Sequence, residues 1–76
     1  MAQTLDVRGL RCPIPLIRAR RALARLPAGE QLVVLATDPE APIDLAALAA
    51  DEGLAFEQLR EEDGWRITLA QPVTEA

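Results

Sequence analysis

The residues of this chain with the strongest chemical character form one short run, Cys-Pro-Ile-Pro, at positions 12–15. Proline is favoured at the first position of a helix, because its missing N–H group would have no partner there and its fixed φ suits the helix. We therefore predict that Pro13 and Pro15 occupy the first and third helical positions. Cys12 then becomes the N-cap residue, with its side chain directed at the amides of the first turn.

A thiol in that position is expected to ionise easily. Ile14 keeps the one N–H group among the first three helical residues, and Leu16 has the next. These donors, the positive end of the helix dipole and the nearby Arg8 and Arg11 all favour a thiolate over a thiol. We therefore predict a pKa for Cys12 below the ordinary value of about 8.5, and the same groups would stabilise a persulfide anion. The alternative is a buried cysteine that packs as a small hydrophobic side chain.

The cysteine and histidine counts exclude several other kinds of thiol site. The chain has one cysteine and no histidine, so an internal disulfide, a zinc site of Cys and His ligands, and a Cys–His hydrolase all lack the residues they need. We expect no metal and no cofactor. No secretory signal is recognisable in residues 1–8, and the longest apolar run, 45–50, is too short to span a membrane. We therefore expect a cytoplasmic protein with no membrane partner.

Two helices and four strands must position Cys12. The spacing of apolar residues predicts helices at 13–26 and 42–52, and strands near 3–7, 31–36, 54–61 and 65–70. The continuous apolar run within 31–36 is typical of a buried strand. Gly53 is the predicted C-cap of the second helix, Asp63-Gly64 the hairpin turn, and the out-of-phase Leu59 a β-bulge.

The element order βαβαββ predicts an α/β fold of the α+β type. We expect a two-layer sandwich, with a four-stranded mixed sheet and both helices on one face. The 76 residues have room for one domain, 1–76, with a core of about 4–70 and a frayed tail at 71–76.

Charge is divided unevenly along the chain. Residues 1–25 carry a net charge of +5 and residues 26–76 a net charge of −9. Arg18 and Arg21 lie opposite the apolar stripe of the first predicted helix. This face is either a docking surface for an acidic partner or an ordinary solvated helix surface. A net charge of −4 and two aromatic residues in all argue against direct binding of nucleic acid.

Residues 5–16, LDVRGLRCPIPL, carry a resemblance to a known family. The run is similar to the L-D-x-R-G-L-x-C-P-x-P signature of the TusA/SirA-like sulfur-carrier proteins, without a gap. Gly29-Glu30, Thr37-Asp38-Pro39 and Asp44 also resemble that family, and the likeness extends from Leu5 to about Leu69. One position departs from it: several relatives have Arg or Lys directly before the acid at the start of the second helix, where this chain has Ile43.

The resemblance implies the βαβαββ two-layer fold and a persulfide carried on the signature cysteine, here Cys12. It also implies protein partners: a sulfur donor, either a cysteine desulfurase or a rhodanese-type protein, and a sulfur acceptor. Pathways served by such relatives include tRNA thiolation, molybdenum-cofactor maturation and sulfur oxidation. Ile43 leaves the pathway open.

Three functions follow from the sequence, in order of preference. The first is a sulfurtransferase that relays a persulfide on Cys12 without independent turnover of small molecules. In this function Pro13, Ile14 and Pro15 shape the helix start that stabilises the persulfide, and the candidates for docking partners are Arg8, Arg11, Arg18 and Arg21. The second is a non-catalytic interaction or regulatory domain that uses the Arg-rich helix face. The third is a peroxide-reactive thiol, which would need an external thiol because the chain has no second cysteine.

Overall fold

The computed structural model describes residues 2–71. Its elements alternate in the predicted order: β1 (Ala2–Asp6), α1 (Ile14–Arg25), β2 (Gln31–Ala36), α2 (Ala41–Glu52), β3 (Ala55–Glu61) and β4 (Gly64–Ala70). The strands form one four-stranded sheet in the order β1-β2-β4-β3. β1 is parallel to β2, whereas β2 with β4 and β3 with β4 are antiparallel. The predicted fold class, with a mixed sheet and two helices, is confirmed.

The parallel pairing of β1 with β2 places the site. Parallel neighbours need a crossover connection, and α1 supplies it here. Asp6 is paired with Leu35, so the two strands end side by side at their carboxyl ends. The loop that carries Cys12 and the loop that leads into α2 therefore leave the sheet next to each other.

The core is aliphatic and lies between the helices and one face of the sheet. Its largest fully buried side chains are Leu32, Leu45, Ile67, Leu69, Val7 and Val34. Along β2 the residues alternate between buried and more exposed positions. The prediction of a continuously buried strand is therefore wrong at Val33 and Leu35, which are half-buried because the helices cover one face of the sheet.

The β-bulge predicted at Leu59 is also wrong. The register of β3 with β4 continues without interruption from Ala55 opposite Ala70 to Glu61 opposite Gly64. Leu59 is paired with Arg66 on the face that the helices leave open, and its side chain is 57% exposed. Its phase differs from that of Phe56 because it belongs to the other face, not because a residue is inserted.

The element ends agree with the prediction to within a few residues. Gly53 is the C-cap of α2, with a left-handed φ of 68°, as predicted. The predicted tail at 71–76 lies outside the described residues except for Gln71. Both helices have 12 residues, and in the described part of the chain no helix is long and apolar enough to cross a membrane.

Candidate functional site

Cys12 lies in the exposed loop that joins β1 to α1. The loop turns at Gly9, whose φ of 83° is in the left-handed region that favours glycine. The Leu10 N–H group donates to the Val7 carbonyl at 3.1 Å and closes this turn. Because the loop is short and hydrogen-bonded within itself, it delivers Cys12 to the surface at a fixed point.

Two side chains from the β2–α2 loop hold the Cys12 loop in place. Thr37 Oγ1 accepts a hydrogen bond from the Gly9 N–H group at 2.9 Å. The Asp38 carboxylate accepts one from the Cys12 N–H group through Oδ2, and one from the Glu40 N–H group through Oδ1 at 2.9 Å. Asp38 thus fixes the backbone at Cys12 and the backbone at the start of α2 together.

Hydrogen bonding also favours the ionised, carboxylate form of Asp38. The donors at Glu40 and Cys12, followed by the positive charge of Arg11, lower the pKa of this carboxyl group below its ordinary value. Charge-assisted hydrogen bonds of this kind are stronger than bonds between neutral groups. The carboxylate is therefore well suited to tie the two loops together.

The start of α1 differs from the prediction by one residue. The helix begins at Ile14, and the N-cap is Pro13 rather than Cys12. Pro15 is then at the second helical position, not the third. The Ile14 N–H group donates to the Arg11 carbonyl at 2.9 Å, so it is not directed at the sulfur as predicted. The turn from Arg11 to Ile14, which the proline spacing does not encode, moves the helix start past Cys12.

The thiol of Cys12 faces carboxylates rather than amides. Its Sγ atom donates a hydrogen bond to Asp44 Oδ2 at 3.2 Å. The pKa of Cys12 is raised to about 11, first by this hydrogen bond, then by desolvation and by the negative charges of Asp44 and Glu40. The predicted lowering of the pKa is therefore wrong, because the acids of α2 and desolvation favour the protonated thiol.

The arginines predicted near the site do not counter this effect. Arg8 is engaged by Asp6 through two side-chain bonds, Nη2 to Oδ2 at 2.7 Å and Nε to Oδ1 at 2.9 Å. Arg18 and Arg21 are exposed on α1, and the helix rise places them about 6 and 10 Å along the axis from Ile14. They form a separate surface rather than part of the thiol's surroundings.

Three side chains gather enough donor atoms to hold a cation. Cys12, Glu40 and Asp44 each place one ligand atom within 4.8 Å of the others. One of these approaches is the hydrogen bond from the thiol to Asp44, at 3.2 Å. The absence of a metal therefore stays a prediction.

Sequence reasoning gave no role to the three acids that surround Cys12. Asp38 and Asp44 had a signal, because both are positions at which the chain resembles the TusA/SirA-like family. Glu40 had none. Their effect on Cys12 depends on contacts across 26 and 32 residues, which arise from the parallel pairing of β1 with β2.

A βαβαββ sandwich with an exposed cysteine before its first helix defines a small thiol-bearing α+β domain. The chain belongs to the TusA sulfurtransferase family, since the family model described as "Sulfurtransferase TusA" matches residues 3–70. The resemblance in the signature at Leu5–Pro15 is thereby confirmed.

Individual relatives agree with this membership. A chain of Neisseria meningitidis serogroup A, whose name gives sulfur carrier as its proposed role, is 46% identical over 83% of this chain and 85% of its own length. The sulfur carrier protein TusA of Allochromatium vinosum is 40% identical over 82% of each chain. The crystal structure of a SirA-like protein of Desulfitobacterium hafniense has a TM-score of 0.79 and 35% identity, over 95% of this chain and 100% of that one.

Proposed function

We propose that this protein is a sulfur carrier that accepts persulfide sulfur on Cys12 and relays it to an acceptor protein. The observation that carries the proposal is the exposed thiol of Cys12, held at a fixed point by Thr37 and Asp38, in a chain of the TusA family. Cys12 is the one residue of the chain that can bear a persulfide.

The chemistry needs one thiol and no external oxidant or reductant. In loading, the Cys12 sulfur attacks the outer sulfur of the donor's persulfide. A new S–S bond forms on Cys12 as the donor's S–S bond breaks, and the departing donor thiolate takes up the proton that Cys12 loses. Delivery repeats the exchange, with the acceptor's thiol as the attacking group and Cys12 as the leaving thiolate.

The shape of the site favours protein partners over small molecules. Cys12 is exposed, and the hollow beside it is shallow, about 510 Å³, and lined by the two loops at 9–11 and 37–39. A partner's cysteine can reach an exposed thiol directly. We propose a cysteine desulfurase or a rhodanese-type protein as the donor, in the cytoplasm. Acceptors in tRNA thiolation, molybdenum-cofactor maturation or sulfur oxidation are equally compatible with this site.

Sulfur loading tests the proposal directly. The protein is incubated with a cysteine desulfurase and cysteine, or with a rhodanese and thiosulfate, and its intact mass is measured. We expect a gain of one sulfur atom that is removed by a reducing agent and is absent from Cys12→Ala. An unchanged mass with both donors, or the same gain in Cys12→Ala, would show that Cys12 is not a sulfur carrier.

The alternative, a non-catalytic interaction domain, is supported by the exposed arginines of α1. Arg18 and Arg21 lie on the same surface of the helix, outside the thiol cluster. Cys12→Ser and the charge reversal Arg18→Glu/Arg21→Glu separate the two functions in a strain that depends on the protein. Loss of the phenotype with the charge reversal alone would favour the interaction domain, whereas loss with Cys12→Ser favours the carrier.

A further inference from the structure

The first turn of α2 presents two carboxylates to the Cys12 thiol. Glu40, the N-cap, and Asp44 are four residues apart, so their side chains lie on the same face of the helix. Both ligand atoms are within 4.8 Å of Cys12 Sγ and of each other, and Asp44 Oδ2 accepts the thiol's hydrogen bond. The two carboxylates at the start of α2 therefore stabilise the proton on the Cys12 sulfur.

The charged groups around this cluster leave the two carboxylates without a cationic partner. Arg8 forms a salt bridge with Asp6. Arg11 is exposed, and its positive charge lowers the pKa of Asp38, whose carboxylate also accepts hydrogen bonds from the Cys12 and Glu40 N–H groups. Among residues 2–71 the salt bridges are Arg8–Asp6 and Arg66–Glu61, and neither includes Glu40 or Asp44.

Both halves of sulfur exchange are hindered by such a surrounding. A thiol must lose its proton to attack a persulfide, and a leaving thiolate departs more slowly when its negative charge is destabilised. The two carboxylates oppose negative charge on Cys12 in loading and in delivery alike. The contacts of the free protein therefore favour the protonated form of Cys12.

We propose that Asp44, assisted by Glu40, is a positioning residue that keeps Cys12 as a neutral thiol until a cationic group of the docked sulfur donor or acceptor neutralises this pair. The inference rests on the proposed carrier function and adds the chemistry of the partner: a Lys or Arg side chain beside the partner's cysteine. When that cation arrives, the Cys12 proton leaves to solvent or to the departing thiolate, and the sulfur becomes nucleophilic.

The pH dependence of alkylation tests the first half of this proposal. Iodoacetamide alkylates the thiolate, forming an S–C bond as iodide leaves, so its rate against pH reports the ionisation of Cys12. Asp44→Asn should react at least about tenfold faster than the wild type at neutral pH, and Glu40→Gln should show a smaller gain. Asp44→Glu should restore slow alkylation, which a structural role for Asp44 would not predict.

Asp51→Asn is the matched control, because Asp51 is an exposed acid on the same helix nearly two turns away. It removes the same charge from α2 and should leave the profile unchanged. Equal rates for Asp44→Asn and Asp51→Asn would overturn the proposal, as would a wild-type profile with an apparent pKa at or below the ordinary cysteine value.

A cationic probe tests the second half. A short oligo-arginine peptide at low salt should accelerate alkylation of the wild type and of Asp51→Asn, and have little effect on Glu40→Gln/Asp44→Asn. Equal acceleration of all three proteins would overturn the role of a cation at this pair. The alkylation measurements need no sulfur donor, so their outcome is independent of whether the protein gains sulfur from a desulfurase, which decides the carrier function.

Discussion

The two helices of this protein begin alike and differ in charge. Each starts from a loop at the carboxyl end of one of two parallel strands, and each has a proline at its second position, Pro15 in α1 and Pro42 in α2. The first turn of α1 has no acidic residue, whereas α2 has Asp44 in its first turn after Glu40 at the N-cap.

This difference shows that a helix start acts on the neighbouring helix as well as on its own residues. Acids near an N-terminus complement the dipole of their own helix. Here the acids of α2 also face the thiol that precedes α1, and they reverse the effect expected from the α1 dipole. The protonation of Cys12 is therefore determined at the start of α2.

Asp38→Ala should break the link between the two helix starts and have the largest effect. The Cys12 and Glu40 N–H groups would both lose their acceptor, at a cost of about 2 kcal/mol in the free energy of unfolding. We also expect sulfur loading of Cys12 to slow, because the loop would no longer hold the thiol in place. Urea denaturation and the rate of mass gain measure the two effects.

Asp51→Ala provides the comparison for Asp38→Ala, since it removes an exposed acid from the far end of α2. It should change the free energy of unfolding by less than about 0.5 kcal/mol. Equal stability of the two variants would show that the Asp38 hydrogen bonds do not hold the loops together.

Thr37→Val should loosen the same link to a smaller extent. Valine has the shape of threonine but leaves the Gly9 N–H group without its acceptor at 2.9 Å, which costs about 1 kcal/mol. Thr68→Val is the matched control, because Thr68 is half-buried in β4 and outside the site. Thermal unfolding of both variants measures the difference. A larger loss of stability in Thr68→Val would contradict the role assigned to Thr37.

Ile43→Lys should make the start of α2 less acidic without removing an acid. The side chain at 43 is 69% exposed and three residues after Glu40, so a lysine there can interact with the Glu40 carboxylate and make the surroundings of the thiol less negative. We expect the pKa of Cys12 to fall by less than in Asp44→Asn, with alkylation at neutral pH a few-fold faster than in the wild type.

Ala50→Lys adds the same charge about two turns further along α2, at another exposed position that is neither three nor four residues from Asp44. It should raise the alkylation rate less than Ile43→Lys. If the two lysines have equal effects, the response is one of overall charge rather than of the thiol cluster.

Most of the fold could be predicted from the sequence, because apolar periodicity determines which residues form helices and strands and which face they bury. The errors occurred where tertiary contacts decide the outcome. The phase of Leu59 indicates a bulge, because phase alone does not reveal that one face of the sheet is left uncovered. The N-cap of α1 was placed one residue early, because the Arg11–Ile14 turn is not encoded by the proline spacing.

The sequence was sufficient to identify Cys12 as the site residue, but it did not reveal which side chains surround the thiol. Cys12 stood out as the sole thiol in a matched signature, which needs no knowledge of the fold. The direction of its pKa shift depends on Asp44, which is 32 residues away and reaches the sulfur through the pairing of β1 with β2 and the packing of α1 on α2. The residues near Cys12 in the sequence indicate the dipole of α1 and the nearby arginines but not the Asp44 carboxylate. They therefore predict a lowered pKa for Cys12, whereas the pKa is raised.

The stability of the protein in alkaline solution should carry a small contribution from the Cys12 thiol. The pKa of Cys12 is raised to about 11 in the folded protein. The folded state therefore binds this proton more tightly than the unfolded state does. The stabilisation is fully present below pH 9 and is lost as the pH rises through 11.

Cys12→Ser separates this effect from other titrations, because a hydroxyl group can still donate to Asp44 but does not ionise in this range. Urea midpoints between about pH 8 and pH 11 should fall more steeply for the wild type than for Cys12→Ser. Parallel curves would mean that the hydrogen bond to Asp44 does not favour the protonated thiol, and the acids of α2 would then have no effect on the ionisation of Cys12.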